Sequence, residues 1–446
     1  MSQLYTDLRA LTYATAPARV RSRLRLSLLD TIGVAIAGSH TELAKIIANY
    51  AATEHAGPLP IPFTPHTASA TGVALALGMR IDALDGHDGY NPAKGHIGCG
   101  LIAGLLALAL EQEVSGSDFL DALLRGYEAG ARFSVILHDT ASDYHTSGAW
   151  IAPTIALAGG MMLGLSDAEI AHATGIAEYH GPRSQMMRCI NFPTMLKDGS
   201  GWGAMAGVSA IKLAQAGFTG APALTESHPL WADLGTRWAA DIQYYKPYPV
   251  CRWAQPPLEA MLDLRRAHGL TAADIARIEI ETFHESTRLA TARPQTTEEA
   301  QYSTSFPCAV AMVTGSLNPE DLFGDMLNNA EVLRISDAIE MREHPFANAE
   351  FPARRYARVT LTLQNGTTHK SDWREANWDI VNPPTDAELI QKFRTWTAPY
   401  AANTRTLEDA ILSFSNTLGP LLTAITTLEL KSLAPSFSWQ KYSKTL

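Results

Sequence analysis

Apolar residues recur at helical spacing through most of the first 265 residues of the chain. In the run Arg19–Ala37, Leu24, Leu28 and Ile32 fall on one helical face, and Gly38 follows as a stop signal. The same spacing predicts further helices over Ala68–Ile81, Leu101–Gln112, Ser117–Ser134, Trp150–Leu163, Asp167–Ala177 and Trp202–Ala216. A proline-rich connector at 57–65 separates the first two of these runs and is expected to be extended. The pattern predicts a large all-helical domain.

The pattern changes near Thr271. Ile275–Phe283 alternates apolar and polar residues, as a half-buried strand does, and Asn365-Gly366 is a strong hairpin signal. The elements expected around them are strands over Arg358–Leu363 and Thr367–Trp373, and helices over Glu299–Gly315, Asp337–His344, Asp386–Trp396 and Leu407–Leu418. We therefore predict a mainly α protein. Residues 1–268, with 393–446 returning to them, form the helical domain, and residues 269–392 form an inserted, smaller α/β lid domain.

Composition narrows the classes of partner. The chain has 446 residues, a net charge of −10 and no block of lysine and arginine, which argues against nucleic acid as a partner. Its four cysteines lie far apart without a CxxC pair, as in proteins of a reducing compartment. The apolar stretch Ser147–Leu165 is nearly long enough to span a bilayer, but Pro153 and four glycines favour a buried helix. The N-terminus shows no secretory signal, so we expect a soluble, cytoplasmic protein without a membrane partner.

The loop at 83–100 is the clearest candidate for chemistry. It lies between two apolar helical runs and holds acids, bases and a cation within a dozen residues, namely Asp85, His87, Asp88, Tyr90, Lys94 and His96. Such groups are costly to hold beside a core unless they are paired or used. The loop therefore predicts an active-site segment. The alternative is a solvated loop whose polar residues cap the next helix.

Three more polar segments could contribute to the same site: Tyr144–Gly148, Arg183–Asp198 and Lys246–Arg252. Three of the four segments lead into a predicted buried helix, whose N-terminus favours anions. Their cations could together bind a small polycarboxylate; these are Lys94, Arg183, Arg188, Lys197, Lys246 and Arg252. Taken singly, each segment also has a structural explanation, since a histidine before a helix can be a cap and a KPYP segment can be a rigid linker.

Metal and cofactor sites find little support in the sequence. The pairs His87-Asp88 and His138-Asp139 are typical of HD phosphohydrolases, but the ligand spacing expected on metal-binding helices is missing. No GxGxxG follows a predicted strand, and neither GxxxxGK[ST] nor GxSxG occurs. Lys197 could carry pyridoxal phosphate, but no phosphate-binding partner is evident. We predict neither a metal nor an organic cofactor.

The same motifs resemble those of the MmgE/PrpD family over nearly the whole chain. Seven segments occur in the family's order: LLDTIGVAIAG (28–38), ALDGHDGYNPAKGHIG (83–98), YHTSG (144–148), TMLKDGSGWGA (194–204), KLAQAGFTGAP (212–222), KPYPVCRW (246–253) and AQYSTSFPCAVA (300–311). The resemblance implies a helical domain with an α/β lid, a homodimer, and chemistry beside a carboxylate without metal or cofactor. It implies catalytic roles for Asp85, His96, His145 and Lys197, and a substrate-binding or supporting role for Lys246. Tyr90, Lys94, Arg183 and Arg188 are further substrate-binding candidates.

Two departures from the family pattern guide the choice of reaction. Gln255 stands where many dehydratases have a histidine, and Phe306 where decarboxylase-like members have a tyrosine. Fewer groups are then left to protonate a leaving hydroxyl or a decarboxylated carbanion. The sequence thus favours an epimerase similar to iminodisuccinate epimerase, with Lys197 and His145 as the two bases, one on each face of the substrate. The alternatives are a hydro-lyase acting on a methylcitrate-like tricarboxylate and a non-catalytic carboxylate-binding protein.

Overall fold

The computed structural model describes residues 2–432, which divide into two compact units. The first unit consists of residues 2–246 and 378–429, and the second of residues 247–377 and 430–432. The units meet at residues 246/247 and 377/378, earlier along the chain than the boundaries at 268/269 and 392/393 expected from the sequence. The part of the predicted returning segment at 433–446 lies outside the described residues.

The first unit is helical apart from one short antiparallel strand pair. Its first ten helices are α1 Ser2–Ala10, α2 Ala18–Gly38, α3 Glu42–Glu54, α4 Ala70–Asp82, α5 Gly98–Glu111, α6 Gly116–Thr140, α7 Gly148–Met162, α8 Asp167–His180, α9 Met186–Asn191 and α10 Ser200–Gln215. The strands β1 Leu59–Pro60 and β2 Thr67–Ala68 lie in and after the proline-rich connector. The seven helices predicted in this region are confirmed as α2, α4–α8 and α10, with ends shifted by a few residues.

Polar side chains fix where several of these helices begin. The Ser69 hydroxyl accepts the backbone N–H of Gly72 at the start of α4, and Ser115 does the same for Asp118 at the start of α6. At α8, Ser166 and Glu169 form a reciprocal capping box. These caps satisfy N–H groups that a helix leaves without partners. The starts of α4, α6 and α8 are thereby fixed at these serines.

Glycines allow α4, α7 and α10 to pack with their backbones close together. A Cβ added to Gly201 of α10 would lie 2.5 Å from the carbonyl oxygen of Leu75 and 2.7 Å from the amide nitrogen of Met79, both in α4. A Cβ on Gly203 would lie 2.5 Å from the carbonyl oxygen of Gly148 at the start of α7. The three helices therefore tolerate only glycine at these contacts, and this close packing fixes the loops that precede α7 and α10.

Gly201→Ala is expected to lower the free energy of unfolding by about 1–3 kcal/mol, because the new methyl group pushes α10 away from the α4 backbone. Urea denaturation of the variant and the wild type measures the difference. Gly419→Ala is the matched control, since no atom lies within 4 Å of a Cβ added there. A Gly201→Ala protein as stable as the control would contradict the close packing.

The second unit combines helices with one four-stranded sheet. Its elements are α11 Gln255–His268, β3 Ile275–Thr282, α12 His284–Thr287, α13 Thr297–Gln301, α14 Ser305–Thr314, α15 Ala330–Asp337, β4 Ile339–Glu343, α16 Pro345–Glu350, β5 Arg358–Leu363 and β6 Thr368–Lys370. The strand order is β4-β3-β5-β6. β3 pairs in parallel with β4 and antiparallel with β5, and β5 pairs antiparallel with β6 across the predicted Asn365-Gly366 turn.

Two predictions in the second unit need correction. The helix predicted over Asp337–His344 is wrong, because this segment contains β4, in which Ile339 and Met341 pair with Ile278 and Ile280 of β3. Tertiary pairing decides here over local helical pattern. The helix predicted over Glu299–Gly315 is interrupted between α13 and α14, where the Ser303 hydroxyl donates to the carbonyl oxygen of Thr291 and accepts the N–H of Phe306.

The chain then returns to the first unit with three helices, α17 Asp386–Thr397, α18 Thr404–Ser413 and α19 Gly419–Thr427. α17 packs against α2, and the buried ammonium group of Lys392 pairs with the carboxylate of Asp30 at 2.7 Å. The helix predicted over Leu407–Leu418 ends earlier, at Ser413. Within residues 2–432, no helix combines the length and the hydropathy needed to cross a membrane; the stretch checked for this in the sequence is the buried helix α7.

Candidate active site

Three of the polar segments singled out in the sequence meet at the hydroxyl group of Ser147, just before α7. This hydroxyl donates to Oδ2 of Asp198 at 2.8 Å and accepts the backbone N–H of His96 at 2.9 Å. The backbone N–H of Gly148 donates in turn to the carbonyl oxygen of Asp198 at 3.1 Å. The loops before α5, α7 and α10 are thereby joined in one buried network.

The end of α4 supplies a carboxylate that supports this network. Oδ2 of Asp82, a fully buried side chain, accepts the backbone N–H groups of Asp198 and Ser200 at 3.1 and 3.4 Å. Its Oδ1 lies 3.5 Å from Nε2 of His87. Burial raises the pKa of Asp82, although the charge of Lys197 opposes that rise. Asp82 therefore holds the Lys197–Ser200 loop against the loop that follows α4.

The fourth segment enters through a buried ion pair between Lys246 and Asp85. The Lys246 ammonium group donates to Oδ1 of Asp85 and, at 2.8 Å, to the carbonyl oxygen of the same residue. The Lys246 side chain is fully buried and that of Asp85 is 5% exposed. Burial alone would raise the pKa of Asp85, but the charges of Lys246 and His96 hold it well below its usual range. Asp85 is therefore a carboxylate at neutral pH.

His96 lies between two carboxylates. Its Nδ1 lies 2.6 Å from the carbonyl oxygen of Asp88, which can only accept, so this nitrogen carries the proton. Nε2 faces Oδ1 of Asp85 at 3.6 Å and Oδ2 of Asp198 at 3.8 Å. Burial, together with the charge of Lys246, lowers the pKa of His96 to about 4, whereas burial raises that of Asp198 to about 6. At pH 7 the imidazole is thus neutral and Nε2 can accept a proton.

Lys197 and His145 lie on the loops that this network joins. Lys197 is 2% exposed and has a left-handed backbone, with φ of 50°, a conformation that costs energy outside glycine and is common at functional sites. Its charge acts on Asp82, Asp85 and His87. The backbone N–H of His145 donates to Nε2 of His138 at 3.3 Å. The Nδ1 atom of His145 is buried and has no hydrogen-bond partner.

The structure does not bring the remaining predicted residues into this network. Tyr90 is buried, and its hydroxyl accepts from Arg237 at 3.5 Å. The carbonyl oxygen of Lys94 accepts the hydroxyl proton of Tyr144, and its ammonium group lies 5.1 Å from the centre of the Tyr144 ring. Arg183 and Arg188 are exposed on the segment around α9. Among the described residues, none of these four side chains forms a hydrogen bond or an ion pair with the network.

Two family models match the chain. The MmgE/PrpD N-terminal domain matches residues 3–239, and the MmgE/PrpD C-terminal domain matches residues 248–415. The chain belongs to the MmgE/PrpD family. Curated relatives include a cis-aconitate decarboxylase of Aspergillus terreus, 24% identical over 71% of this chain and 70% of the relative, and the human cis-aconitate decarboxylase, 23% identical over 84% and 83%. A cis-aconitate decarboxylase-like protein of Aspergillus oryzae is 30% identical, but over only 36% of each chain.

Sequence reasoning missed two residues of this MmgE/PrpD site. Asp82 falls between the helix predicted over Ala68–Ile81 and the candidate loop at 83–100 and was not singled out, and Ser147 was noted only as part of a polar segment. A carboxylate at the end of the largely apolar helix α4 was the available signal for Asp82. Nothing in the sequence distinguishes the Ser147 hydroxyl from an ordinary helix cap.

Among residues 2–432, no group of three or more histidine, cysteine or acidic side chains is arranged to hold a metal ion.

Asp88 next to this network is expected to make stability depend on pH. Burial raises its pKa from 3.8 to about 7, although the Tyr127 hydroxyl donates to Oδ2 at 2.6 Å. The folded state therefore keeps a proton that the unfolded chain loses, and the stability this gives is lost as pH rises from 3.8 to about 7. Asp88→Asn removes this titrating group. Between pH 4 and 8 its free energy of unfolding, measured by urea denaturation, is therefore expected to fall by a few kcal/mol less than that of the wild type.

Asp139→Asn is the control, since Asp139 is exposed at the end of α6. It is expected to follow the wild-type profile. A profile for Asp88→Asn that runs parallel to the wild type would contradict the raised pKa of Asp88.

Proposed function

We propose that this MmgE/PrpD protein is a cofactor-independent enzyme that moves a proton at a carbon beside a carboxylate of a small polycarboxylate. The observation that carries the proposal is a set of buried polar atoms without partners around the loops of Lys197 and Ser147. These are Nδ1 of His145, Oγ1 of Thr146 and Oδ1 of Asp198. Buried polar atoms without partners are costly, and a polar substrate bound beside them would satisfy them.

Each residue of the site has a proposed role. Lys197 supplies positive charge where negative charge develops on the substrate carboxylate. Nδ1 of His145 exchanges the proton with carbon, and Nε2 of His96 is the reserve base. Of the two roles expected for Lys246, substrate binding or support, we propose the second: it fixes Asp85, because its ammonium group is already hydrogen-bonded to that residue twice.

The reaction we favour is the decarboxylation of an unsaturated tricarboxylate of the cis-aconitate type. The curated relatives reported above are named for this activity, and two of them match over most of the chain. The bond between carbon and the departing carboxylate breaks and CO₂ leaves. The electron pair shifts across the neighbouring double bond to the carbon beside a second carboxylate, and that carbon takes the proton. The step needs one proton donor and one cation, which His145 and Lys197 supply.

Epimerisation of an aminodicarboxylate such as iminodisuccinate is the second candidate, and two residues of the second unit favour it. Phe306 is fully buried and has no proton to give. The Gln255 amide group donates to the carbonyl oxygens of Tyr248 and Val250, both at 3.1 Å, and so serves the backbone. Neither position supplies the acid that elimination needs, whereas epimerisation needs only removal and return of one α-proton. A hydro-lyase acting on a methylcitrate-like substrate has the least support.

Architecture and assembly are part of the proposal. We propose that the second unit is an inserted lid domain and that the protein is a homodimer, as the family resemblance implies. Exposed apolar side chains on and near α8–α10, including Tyr179, Phe192 and Leu196, support an interface between two copies. The four cysteines are buried and form no disulfide within the described residues, which fits a reducing, cytoplasmic compartment. Light scattering coupled to size-exclusion chromatography tests the dimer.

Proton NMR in D₂O with three substrates in separate tubes tests the reaction. With cis-aconitate, we expect release of CO₂ and a product with deuterium at the carbon beside a carboxylate. Interconversion of iminodisuccinate stereoisomers with loss of the α-proton signal, and no reaction in the other tubes, would replace the lyase with the epimerase. Dehydration of methylcitrate alone, seen as conversion of its methyl doublet into the singlet of an allylic methyl group or as a new vinyl signal, would establish the hydro-lyase. No exchange or turnover in any tube would contradict proton transfer on these substrates.

A further inference from the structure

The first unit contains a cavity of about 300 Å³ that the proposed reaction does not use. It is open on one side and is lined by the residue after α2, one side of α3, the end of the proline-rich connector and the last turn of α4. Its polar lining consists of Ser39, Lys45, Asn49, Thr64, His66 and Arg80. We call it the Arg80 cavity. No aspartate or glutamate is among its lining residues.

Arg80 is a buried cation for which the described residues supply no carboxylate partner. It is only 2% exposed, and burial alone, with no contribution from a carboxylate, lowers the pKa of its guanidinium group. One terminal nitrogen donates to the carbonyl oxygens of Pro62 and Phe63 at 3.1 and 2.9 Å and to the Ser39 hydroxyl at 3.3 Å. The Nε–H group is buried and has no acceptor. A buried charge satisfied only by neutral oxygens is costly unless an anion joins it.

Further basic side chains surround this arginine. Lys45 is exposed on α3 at the rim of the cavity, and His66 lies on the connector side. His40 follows the end of α2, and burial together with the charges of Lys45 and Arg80 lowers its pKa to about 4. The charges of Lys45 and Arg80 thus both act on the same buried space.

We infer that the Arg80 cavity is a second binding site, separate from the proposed active site, that takes a small oxyanion. Phosphate and carboxylate groups both match the fork of N–H donors that a guanidinium group presents. The volume is at the lower end of the range for small-molecule sites, so it suits a compact phosphate or carboxylate compound and not a nucleotide. The ammonium group of Lys45 at the rim would face the anion from the open side.

Isothermal titration calorimetry of the full chain with inorganic phosphate and, separately, with tricarballylate tests the site. At least one of the two probes is expected to bind saturably, and the tighter one identifies the oxyanion preferred. Lys45→Glu reverses a charge on an exposed side chain without disturbing the core, and is expected to weaken binding about 10- to 100-fold. Arg80→Gln is expected to abolish it.

Two controls separate this site from other effects. Lys212→Glu makes the same charge change on α10, where Lys212 pairs with Glu111, and is expected to leave binding unchanged. Lys197→Ala removes a cation of the proposed active site and is expected to leave the Arg80 site intact. Saturable binding that survives both Lys45→Glu and Arg80→Gln would overturn the inference, as would heat changes that sodium chloride of equal ionic strength reproduces. Absence of saturable binding for both probes would also overturn it.

Discussion

Lys197→Ala is expected to lower kcat/KM by about 10²- to 10⁴-fold, because the variant loses the cation that stabilises developing charge in the transition state. Two observations point to Lys197 as a residue that meets the substrate. Its backbone is left-handed, and buried atoms of the nearby Thr146 and Asp198 have no hydrogen-bond partner. Turnover is measured by NMR with whichever substrate the wild type converts. Removal of a buried cation also changes the charge balance around Asp82, so thermal unfolding of the variant is measured in parallel.

Lys212→Ala is the matched control for this variant. Lys197 lies on the loop before α10 and Lys212 lies within that helix. Lys212 is partly exposed and pairs with Glu111 at 2.6 Å, away from the network. It is expected to retain wild-type kcat/KM. A Lys197→Ala enzyme that is folded and keeps near-normal turnover would contradict the role of Lys197, and a protein that binds carboxylates without any turnover would favour a binding function instead.

The helices were predictable because their apolar spacing reports burial directly. α5 and α7 are almost wholly apolar and lie in the core, and Gly38 ends α2 as its position predicted. The strand β4 was not predictable in the same way. Its residues Ile339–Glu343 alternate over only five positions, and the neighbour that fixes them, β3, lies about 60 residues earlier in the chain. Long-range pairing of this kind leaves little trace in a short segment.

The candidate site was predictable as a set of segments but not as a geometry. Clustered acids and bases in glycine-rich loops before apolar helices indicated the segments, and the family resemblance singled out Asp85, His96, His145 and Lys197 within them. Lys94 stands in the same loop as His96, yet its backbone turns at φ of 53° and its ammonium group lies over the Tyr144 ring. The spacing of residues along a loop does not reveal that the Lys94 side chain lies against Tyr144 instead of the network. The bridging role of Ser147 likewise depends on the closeness of α7 and α10, which glycines on both helices permit.

Lys246→Met is expected to lower the free energy of unfolding by about 3–5 kcal/mol, because it leaves the Asp85 carboxylate buried without its cation. A loss of this size is a large part of the stability of an ordinary domain. Urea denaturation at pH 7 measures it, with Lys212→Met as the control for an exposed lysine, expected to change stability by about 1 kcal/mol or less. Lowering the pH toward 3.8 should shrink the loss, since protonation neutralises the uncompensated carboxylate.

The double variant Lys246→Met, Asp85→Asn separates the ion pair from the packing of the lysine side chain. Removal of both charges leaves no uncompensated ion, so the double variant is expected to recover most of the stability that Lys246→Met loses. The short contact between Lys246 and Asp85 and their joint burial give this coupling its size. If the two substitutions instead add their separate costs, Lys246 stabilises the fold through its methylene groups, and Asp85 does not need it as a counter-ion.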